Sequence, residues 1–498
     1  MNNKKEVDKD TDSQINPYFP GIKDVVRDLT DKFSFKTLKE YDTTSESMYF
    51  YIPPDLKLPD SGTYKRGEPE TKILIDRTYN DLLVRMISLT EQILTTTKNE
   101  DLEALLGKLN RKLNHDGTKN SEINEAMNMI RRNSFVSREK MNPNSHIPLK
   151  SGLFNLKTME FEEFSPDKFY TWKVQGDFDP EIRSLSQLPM FKKFLLDIFY
   201  PKDVPLVVDY LAYCLYPDFP RQKLLLPIGQ ERRGKGTLIR ILEKAIPKAH
   251  GRISLMKLLI PDNKFSFQDI EGKNVLIDPE IKRNFRYKAD FGLFNTLFGG
   301  DTISIERKFK APFDYVPKSK GILLSNIPLF SVDNAAFLAR LLIVVTKIKP
   351  DEWKEIPNLD QKIWDAEGAE IVAYLLNRLK LLTKRDFRFT NERTNQEYTK
   401  LWNSLCKSVE MFMDENLVES KNYVTIDDAF ELYVDWCEMR SIPPESRHEF
   451  VRHVGKTYKK FRMREGKGFT WIFQNCSMEL EVETPERIEP DTDNDLGI

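Results

Sequence analysis

Between residues 223 and 242 the chain reads KLLLPIGQERRGKGTLIRIL. A short apolar run, Leu224 to Ile228, enters Gly229-Gln230-Glu231-Arg232-Arg233-Gly234-Lys235-Gly236-Thr237, and a helical pattern leaves it. Glycines at both ends let successive backbone N–H groups turn inward, and the following helix N-terminus adds a partial positive charge, so the segment suits a phosphate. Lys235 would reach the β- and γ-phosphates of a nucleotide, and a hydroxyl would hold Mg²⁺. Gly236 stands directly after the lysine, where that motif carries Ser or Thr. Either Thr237, one place late, takes the metal, or the metal is held through water and an acid elsewhere. That acid has a candidate, because Asn274-Val275-Leu276-Ile277 runs into Asp278-Pro279-Glu280. Carboxylates at the end of a buried strand are what a Mg²⁺–water site and a water-activating base require. Asp278 is the choice for the metal and Glu280 for polarising the attacking water, with exchange of the two roles open.

Four further features could serve the same chemistry or a nucleic acid. After Gly299-Gly300-Asp301, TISIERKFKAPFDY reads as a β-hairpin with Arg307, Lys308, Phe309 and Lys310 at or near its tip. Cations interleaved with an aromatic suit a surface that tracks a single strand and touches its bases. Ile322-Leu323-Leu324-Ser325-Asn326 puts an amide, Asn326, at a strand end, where it could sense a γ-phosphate. Arg340, just before the apolar run LLIVVT, could reach a neighbouring subunit's nucleotide as an arginine finger. From Arg447 to Gly468 the basic residues are Arg447, Arg452, Lys456, Lys459, Lys460, Arg462, Arg464 and Lys467, opposed only by Glu449 and Glu465. Such local segregation of charge is the footprint of DNA binding.

These groups need a scaffold. Short apolar strands (KLLLPIG, KNVLIDPE, KGILLSN, RLLIVVTKI) alternate with helical stretches from 205 to 350, which predicts a layered α/β domain. Residues 1–70 are polar and interrupted by Pro17, Pro20, Pro53, Pro54 and Pro59; a disordered start and an irregular remainder are expected. Residues 71–146 carry helical periodicity, with Tyr79, Leu82, Leu83 and Met86 among its apolar positions. Within 147–204, IPLKSGLFNLKTMEF reads as a hairpin turning at Ser151-Gly152, and the helix PMFKKFLLDIFY leads into the core. Residues 351–404 form a helical lid or linker. Residues 405–476 make a compact helix-rich segment ending in a hairpin that turns at Glu465-Gly466-Lys467-Gly468. The last stretch, 477–498, holds eight acidic residues against Arg487 and is expected to be disordered.

Composition bounds the rest. With 498 residues, 40% hydrophobic and 31% charged, the chain is globular and several domains long. Lys+Arg of 76 against Asp+Glu of 77 gives a net charge of −1, so no partner follows from the total. Cys214, Cys406, Cys437 and Cys476 form no CxxC pair, which argues for a reducing compartment and against a structural zinc. His115, His146, His250, His448 and His453 have no ligand spacing. No apolar run approaches the length of a membrane span, and the N-terminus lacks a signal-peptide core. The expected location is cytoplasmic, inside a cell.

Taken in order, these motifs resemble those of the superfamily 3 helicases, specifically the phage, plasmid and poxvirus-type primase-helicase family. The resemblance covers about residues 70 to 475. Its Walker A, Walker B, B′ hairpin, sensor 1 and arginine finger are matched by Gly229–Thr237, Val275–Glu280, Gly299–Phe313, Ser325-Asn326 and Arg340. Its N-terminal hairpin is matched by HIPLKSGLFNLKT, and its terminal winged helix by residues 405–476, with SRHEFVRHVGKTY as the recognition helix. Three positions depart from the family pattern: Gly236 for Ser or Thr, Glu306 where the hairpin often has Arg, and a single Arg340 for a common Arg pair.

What the resemblance implies is an AAA+-like P-loop ATPase core with an N-terminal helical domain and a C-terminal winged helix. It further implies ATP and Mg²⁺ as cofactors, a homo-oligomeric ring that is usually hexameric, and 3′→5′ unwinding of duplex DNA during replication of a plasmid, phage or virus. Single- and double-stranded DNA would be the partners, with a primase or polymerase as a possible further one and no membrane. The alternative is an origin-binding initiator or packaging-like ATPase stimulated by DNA. A primase would need a carboxylate cluster in its own polymerase domain, and 70 irregular residues are too few for that.

Overall fold

The computed structural model of the chain describes residues 17–39, 46–56, 60–260, 270–281, 290–307, 310–326, 334–347, 355–440, 442, 444–465 and 468–478. The expected disordered start and acidic tail lie outside the described residues, as do Lys308, Phe309 and Lys467. Contacts divide the chain into two units: Met1–Lys140 with Ser165–Phe169, and Met141–Phe164 with Tyr170–Ile498.

The first unit holds α1 (Ile22–Lys32), β1 (Phe35–Lys39), β2 (Glu46–Tyr51), β3 (Tyr64–Arg66), α2 (Glu68–Leu94), α3 (Glu100–Arg111), α4 (Asn120–Asn133) and β4 (Phe135–Val136). Its sheet has the order β3-β2-β1-β4. This corrects the expectation of an irregular stretch up to residue 70. There α1 buries Val25, Val26 and Leu29, and the strands contribute Phe35, Met48 and Phe50 to a core shared with Ile75, Tyr79 and Ile130 of the helices. The strands are short, and Pro17, Pro20, Pro53 and Pro54 fall outside them, where missing N–H donors break no ladder. The helices of 71–146 therefore share their interior with α1 and these strands.

The second unit begins with β5 (His146–Pro148), β6 (Leu153–Asn155) and β7 (Phe161–Glu162). β5 and β6 pair as the expected hairpin, closed by Leu149 N–H donating to Gly152. Next come α5 (Pro189–Ile198) and α6 (Val204–Leu215). Pro189 sits at the first turn of α5, and the Glu367 carboxylate accepts the amides of Met190 and Phe191 at 2.7 and 2.9 Å, so this helix start is fully capped. Every residue of α6 is buried. Its one carboxylate, Asp209, accepts from Arg378 Nε at 2.9 Å and from the Thr390 amide at 2.8 Å, which is how a charge is tolerated there.

The elements that follow are β8 (Leu224–Ile228), α7 (Lys235–Ala245), β9 (His250–Arg252), α8 (Leu255–Leu258), β10 (Val275–Asp278), α9 (Gly292–Gly299), β11 (Ile303–Arg307), β12 (Lys310–Tyr315), β13 (Lys320–Leu323), α10 (Ala335–Ala339) and β14 (Leu341–Val345). A five-stranded sheet runs in the order β14-β8-β13-β10-β9, and every pairing is parallel. β8, β10, β13 and β14 are buried throughout, the pattern of strands covered on both faces. All four apolar runs singled out in the sequence are strands, and β9, whose His-Gly-Arg carries no apolar alternation, is an addition. β11 and β12 pair outside the sheet as the expected antiparallel hairpin, with Arg307 opposite Lys310.

The chain closes with α11 (Leu359–Lys384), α12 (Asn395–Cys406), α13 (Ser408–Asn416), β15 (Leu417–Thr425), α14 (Ile426–Met439), α15 (Arg447–Thr457), β16 (Lys460–Glu465) and β17 (Gly468–Met478). The last three strands form a sheet in the order β15-β17-β16. Buried residues from Ile147 to Cys476 make one continuous hydrophobic cluster, so the core segment, the helical lid stretch and the terminal segment share a single interior. The architecture is mixed α/β.

Candidate functional site

In a parallel sheet all strands end at one edge, and crevices form there where neighbouring connections diverge in opposite directions. β8 leads through α7 to β9, the far strand on one side, while β14, its neighbour on the other side, arrives from α10. The carboxyl edge beside β8 opens into a cleft of about 740 Å³. It is lined by Glu231 to Thr237 after β8, by Pro279 and Glu280 after β10, by Leu324 and Asn326 after β13, and by residues 355–360 at the start of α11. Four segments spread over more than a hundred residues thus meet at one place.

Glycine is required at two points of the loop. Gly229 would drive a Cβ to 1.8 Å from Thr346 Oγ1, because the loop crosses β14's end in contact with it. Gly234 has φ of +98° and a Cβ there would meet Ile198 Cδ1 at 2.5 Å. It caps α7 in the left-handed region, and that turn aims the helix N-terminus into the cleft.

Lys235 is 6% exposed. Its ammonium donates to the carbonyls of Gly229 at 2.5 Å and Gln230 at 2.8 Å, so the cation is held by its own loop. Burial pulls its pKa down from 10.5 to about 8, against the opposing pull of Glu231. Asp278 is 4% exposed; Oδ2 accepts from the Leu255 amide at 2.7 Å and Oδ1 from the Glu280 amide at 3.3 Å. Burial raises its pKa above the ordinary carboxylate value, and the two amides oppose that rise. Glu280 is exposed on the cleft wall. Asn326 donates from Nδ2 to Glu231 Oε1 at 3.3 Å, which ties the end of β13 to the loop.

Not every predicted residue joins this group. Arg233 belongs to the loop, but its guanidinium donates from Nε to the Lys347 carbonyl at 2.9 Å and to the Asp197 carbonyl, so it anchors the loop to β14 and α5. Arg340 lies at the other edge of the sheet. Its carbonyl accepts from the Leu224 amide, at the start of β8, roughly 16 Å along a strand from Gly229. Its NH1 donates to the Ala336 carbonyl at 2.8 Å. Of the hairpin residues, Arg307 and Lys310 pair at the described end of β11 and β12.

The cleft also holds a cation and its carboxylate partner that the sequence did not point to. Arg240, one helical turn past Thr237, donates from NH2 to Thr237 Oγ1 at 3.1 Å and from Nε to Asp360 Oδ1 at 2.9 Å. A Cβ on Gly236 would sit 3.3 Å from Arg240 NH1, so a guanidinium lies beside the position where a metal-holding hydroxyl was expected and absent. Asp360 also pairs with Lys244, and these two cations hold its carboxyl below the usual range against a desolvation that would raise it. The only advance signal was the i, i+3 spacing from Thr237; its partner Asp360 lies 120 residues away.

At the C-terminal end, two of the predicted cations are already paired. Arg447 bonds Asp427 and Arg452 bonds Glu449. Lys456, Lys459, Lys460, Arg462 and Arg464 form no ion pair among the described residues, and the strand β17 that faces the last three carries exposed aromatics the sequence reading passed over.

The fold and the cleft define a mixed α/β protein with a polar site at the carboxyl edge of a parallel sheet. Residues 70–200 match a family model described as D5 N terminal like, and residues 228–340 match one described as a family of unknown function, DUF5906. The first match, over 131 of the 498 residues, points to a phage-type primase-helicase kind of protein and does not decide between helicase and primase. The second runs from the end of β8 to Arg340 and so takes in three of the cleft's four segments, all but residues 355–360. No curated protein matches the chain. The apo structure of the NrS-1 C terminal region (305-718) is 13% identical and covers 91% of this chain and 98% of its own, with a TM-score of 0.42. An A form apo structure of the NrS-1 C terminal region is 13% identical over 91% of this chain and 99% of its own, with a TM-score of 0.41. These scores are too low to bear on fold or function. No helix among the described residues is long and apolar enough to cross a membrane.

Proposed function

We propose that the chain is an ATP-driven DNA helicase of the superfamily 3 type, acting in replication of a phage, plasmid or viral element. The observation that carries this reading is the meeting of Lys235, the Gly229–Thr237 loop, Asp278, Glu280 and Asn326 at one strand edge. Phosphoryl transfer depends on positioning and charge more than on covalent chemistry, and this cleft offers both.

Loop amides and the α7 N-terminus would hold the β- and γ-phosphates. Lys235 exchanges its bonds to the Gly229 and Gln230 carbonyls for phosphate oxygens, which also favours its protonated form. Mg²⁺ would neutralise charge on the phosphates as they separate. The residues that would hold it are Asp278 and Thr237. Asp278 already accepts two backbone amides and Thr237 a guanidinium, which fits a metal held through water better than one held directly. Arg240 adds a further cation at the place Gly236 leaves open. Glu280 is the group exposed enough to orient a water, and Asn326 stands where the terminal phosphate would end.

Arg340, at the far edge of the sheet, cannot serve its own cleft. A closed head-to-tail ring, hexameric in the resembling family, brings one subunit's far edge to the next subunit's cleft at every interface. The β11–β12 hairpin, with Arg307, Lys308, Phe309 and Lys310, would then be the DNA-tracking element, and residues 405–476 a winged helix. The test is unwinding of forked DNA by the full chain with ATP and Mg²⁺. Strand separation that vanishes in Lys235→Ala is expected; primer synthesis without unwinding would replace helicase with primase.

A further inference from the structure

β16 and β17 extend beyond β15. The last pair made by β15 is Thr425 with Ile472, whereas β16 continues against β17 to Glu465 opposite Gly468. Residues 462–465 and 468–471 are therefore a two-stranded ribbon projecting from the small sheet. Side chains directly opposite each other in an antiparallel pair share a face. One face of the ribbon consequently carries Arg462 opposite Trp471 and Arg464 opposite Phe469, with Lys460 one step back.

These residues interlock. Lys460 Nζ lies 4.4 Å from the Trp471 ring centroid, and the Arg462 guanidinium carbon lies 4.2 Å from that of Phe469. Even so, Trp471 is 47% and Phe469 59% exposed. Large aromatics on a projecting ribbon contribute little to the core, and no carboxylate stands among these five positions. Two of the three Lys/Arg cations of α15 are otherwise engaged, Arg447 with Asp427 and Arg452 with Glu449. Of the five Lys/Arg residues between 447 and 464 that form no ion pair among the described residues, three, Lys460, Arg462 and Arg464, stand on this one face.

We propose that this face of the ribbon stacks unpaired nucleobases, so that the terminal segment binds single strands or the open end of a fork rather than only the phosphates of a closed duplex. A base sliding onto Trp471 or Phe469 takes the ring face now covered by a cation. That cation then turns to the phosphate of the same nucleotide, so stacking and charge pairing replace the cation–π contact together. A closed duplex cannot do this, because its bases are already stacked. An apolar protein partner fits poorly with three cations spaced between two rings.

The proposal deepens the DNA-binding part of the reading above and is independent of its ATPase part. The test is fluorescence anisotropy of the full chain, without nucleotide, on labelled oligothymidylate, a fork and a blunt duplex. Trp471→Ala should weaken oligothymidylate and fork binding by roughly 5- to 150-fold, the worth of one stacked base, and leave the blunt duplex within about twofold. Trp471→Phe should restore most of the loss. The salt slope should stay unchanged in Trp471→Ala and fall by about one in Arg462→Ala. An unchanged thermal midpoint and basal ATP turnover would establish that Trp471→Ala is folded. Equal loss on all three DNAs would mean a duplex-groove contact and overturn the proposal. So would unchanged DNA binding with an altered oligomeric state, which would make the ribbon a protein contact. A wild-type chain that binds oligothymidylate through Trp471 but hydrolyses no ATP would sink the helicase reading alone.

Discussion

The cleft at the carboxyl edge of the five-stranded sheet and the ribbon of β16 and β17 both present cations to phosphates, but they do so under opposite conditions. Lys235 is buried against its own loop, and Asp278 is buried under two amides. Lys460, Arg462 and Arg464 stand in solvent with only ring faces beneath the first two. Charges in a low-dielectric cleft are few, interact strongly and are placed by backbone, so each is indispensable. Exposed cations are screened, nearly additive and individually replaceable. The difference predicts all-or-none behaviour in the cleft and graded, salt-dependent behaviour on the ribbon.

The sharpest break is Lys235→Ala, which should reduce ATP turnover to background, measured by phosphate release. Arg340→Ala comes next. Turnover should fall by about 10³ while nucleotide binding, followed by a fluorescent analogue, stays intact, since the residue acts on a neighbour's site. Survival of turnover would remove the trans-acting role. The pH dependence of nucleotide affinity is a smaller effect with a definite sign. Binding needs the Lys235 ammonium, and burial has lowered its pKa to about 8. Affinity should therefore be flat below pH 8 and fall above it, up to about tenfold per pH unit, with proton uptake visible by calorimetry in buffers of different ionisation enthalpy. In the free chain the unfolded lysine holds its proton up to 10.5, so this residue's destabilising contribution is present below about pH 8 and relieved as pH rises from 8 to 10.5. Smallest of all, Arg464→Ala should shift DNA affinity modestly at low salt and lower the salt slope by about one.

The two regions also differ in how readable they were. The loop was legible because strand, glycines, lysine and helix are contiguous, and β10, β13 and β14 are apolar runs that only a buried strand explains. What lay across the chain was not. Arg240 meets Asp360 over 120 residues, and its place beside Gly236 turns a missing hydroxyl into a cation. Arg233 looked like a phosphate ligand by position, yet its reach to the Lys347 and Asp197 carbonyls made it an anchor. On the ribbon, the cations were visible in composition, but their alternation with Phe469 and Trp471 becomes a shared face only once the register of β16 against β17 is known. In the first unit, three-to-six-residue strands between prolines carried too little pattern to separate from irregular chain.

The measurement that tests the account most directly is the rate of ATP hydrolysis by the full chain with Mg²⁺, with and without single-stranded DNA, beside Lys235→Ala and Glu280→Gln. Turnover that single strands stimulate is expected, with both variants inactive and Glu280→Gln still binding nucleotide. Turnover in Lys235→Ala equal to that of the unaltered chain, or an unaltered chain that binds no nucleotide at all, would contradict it.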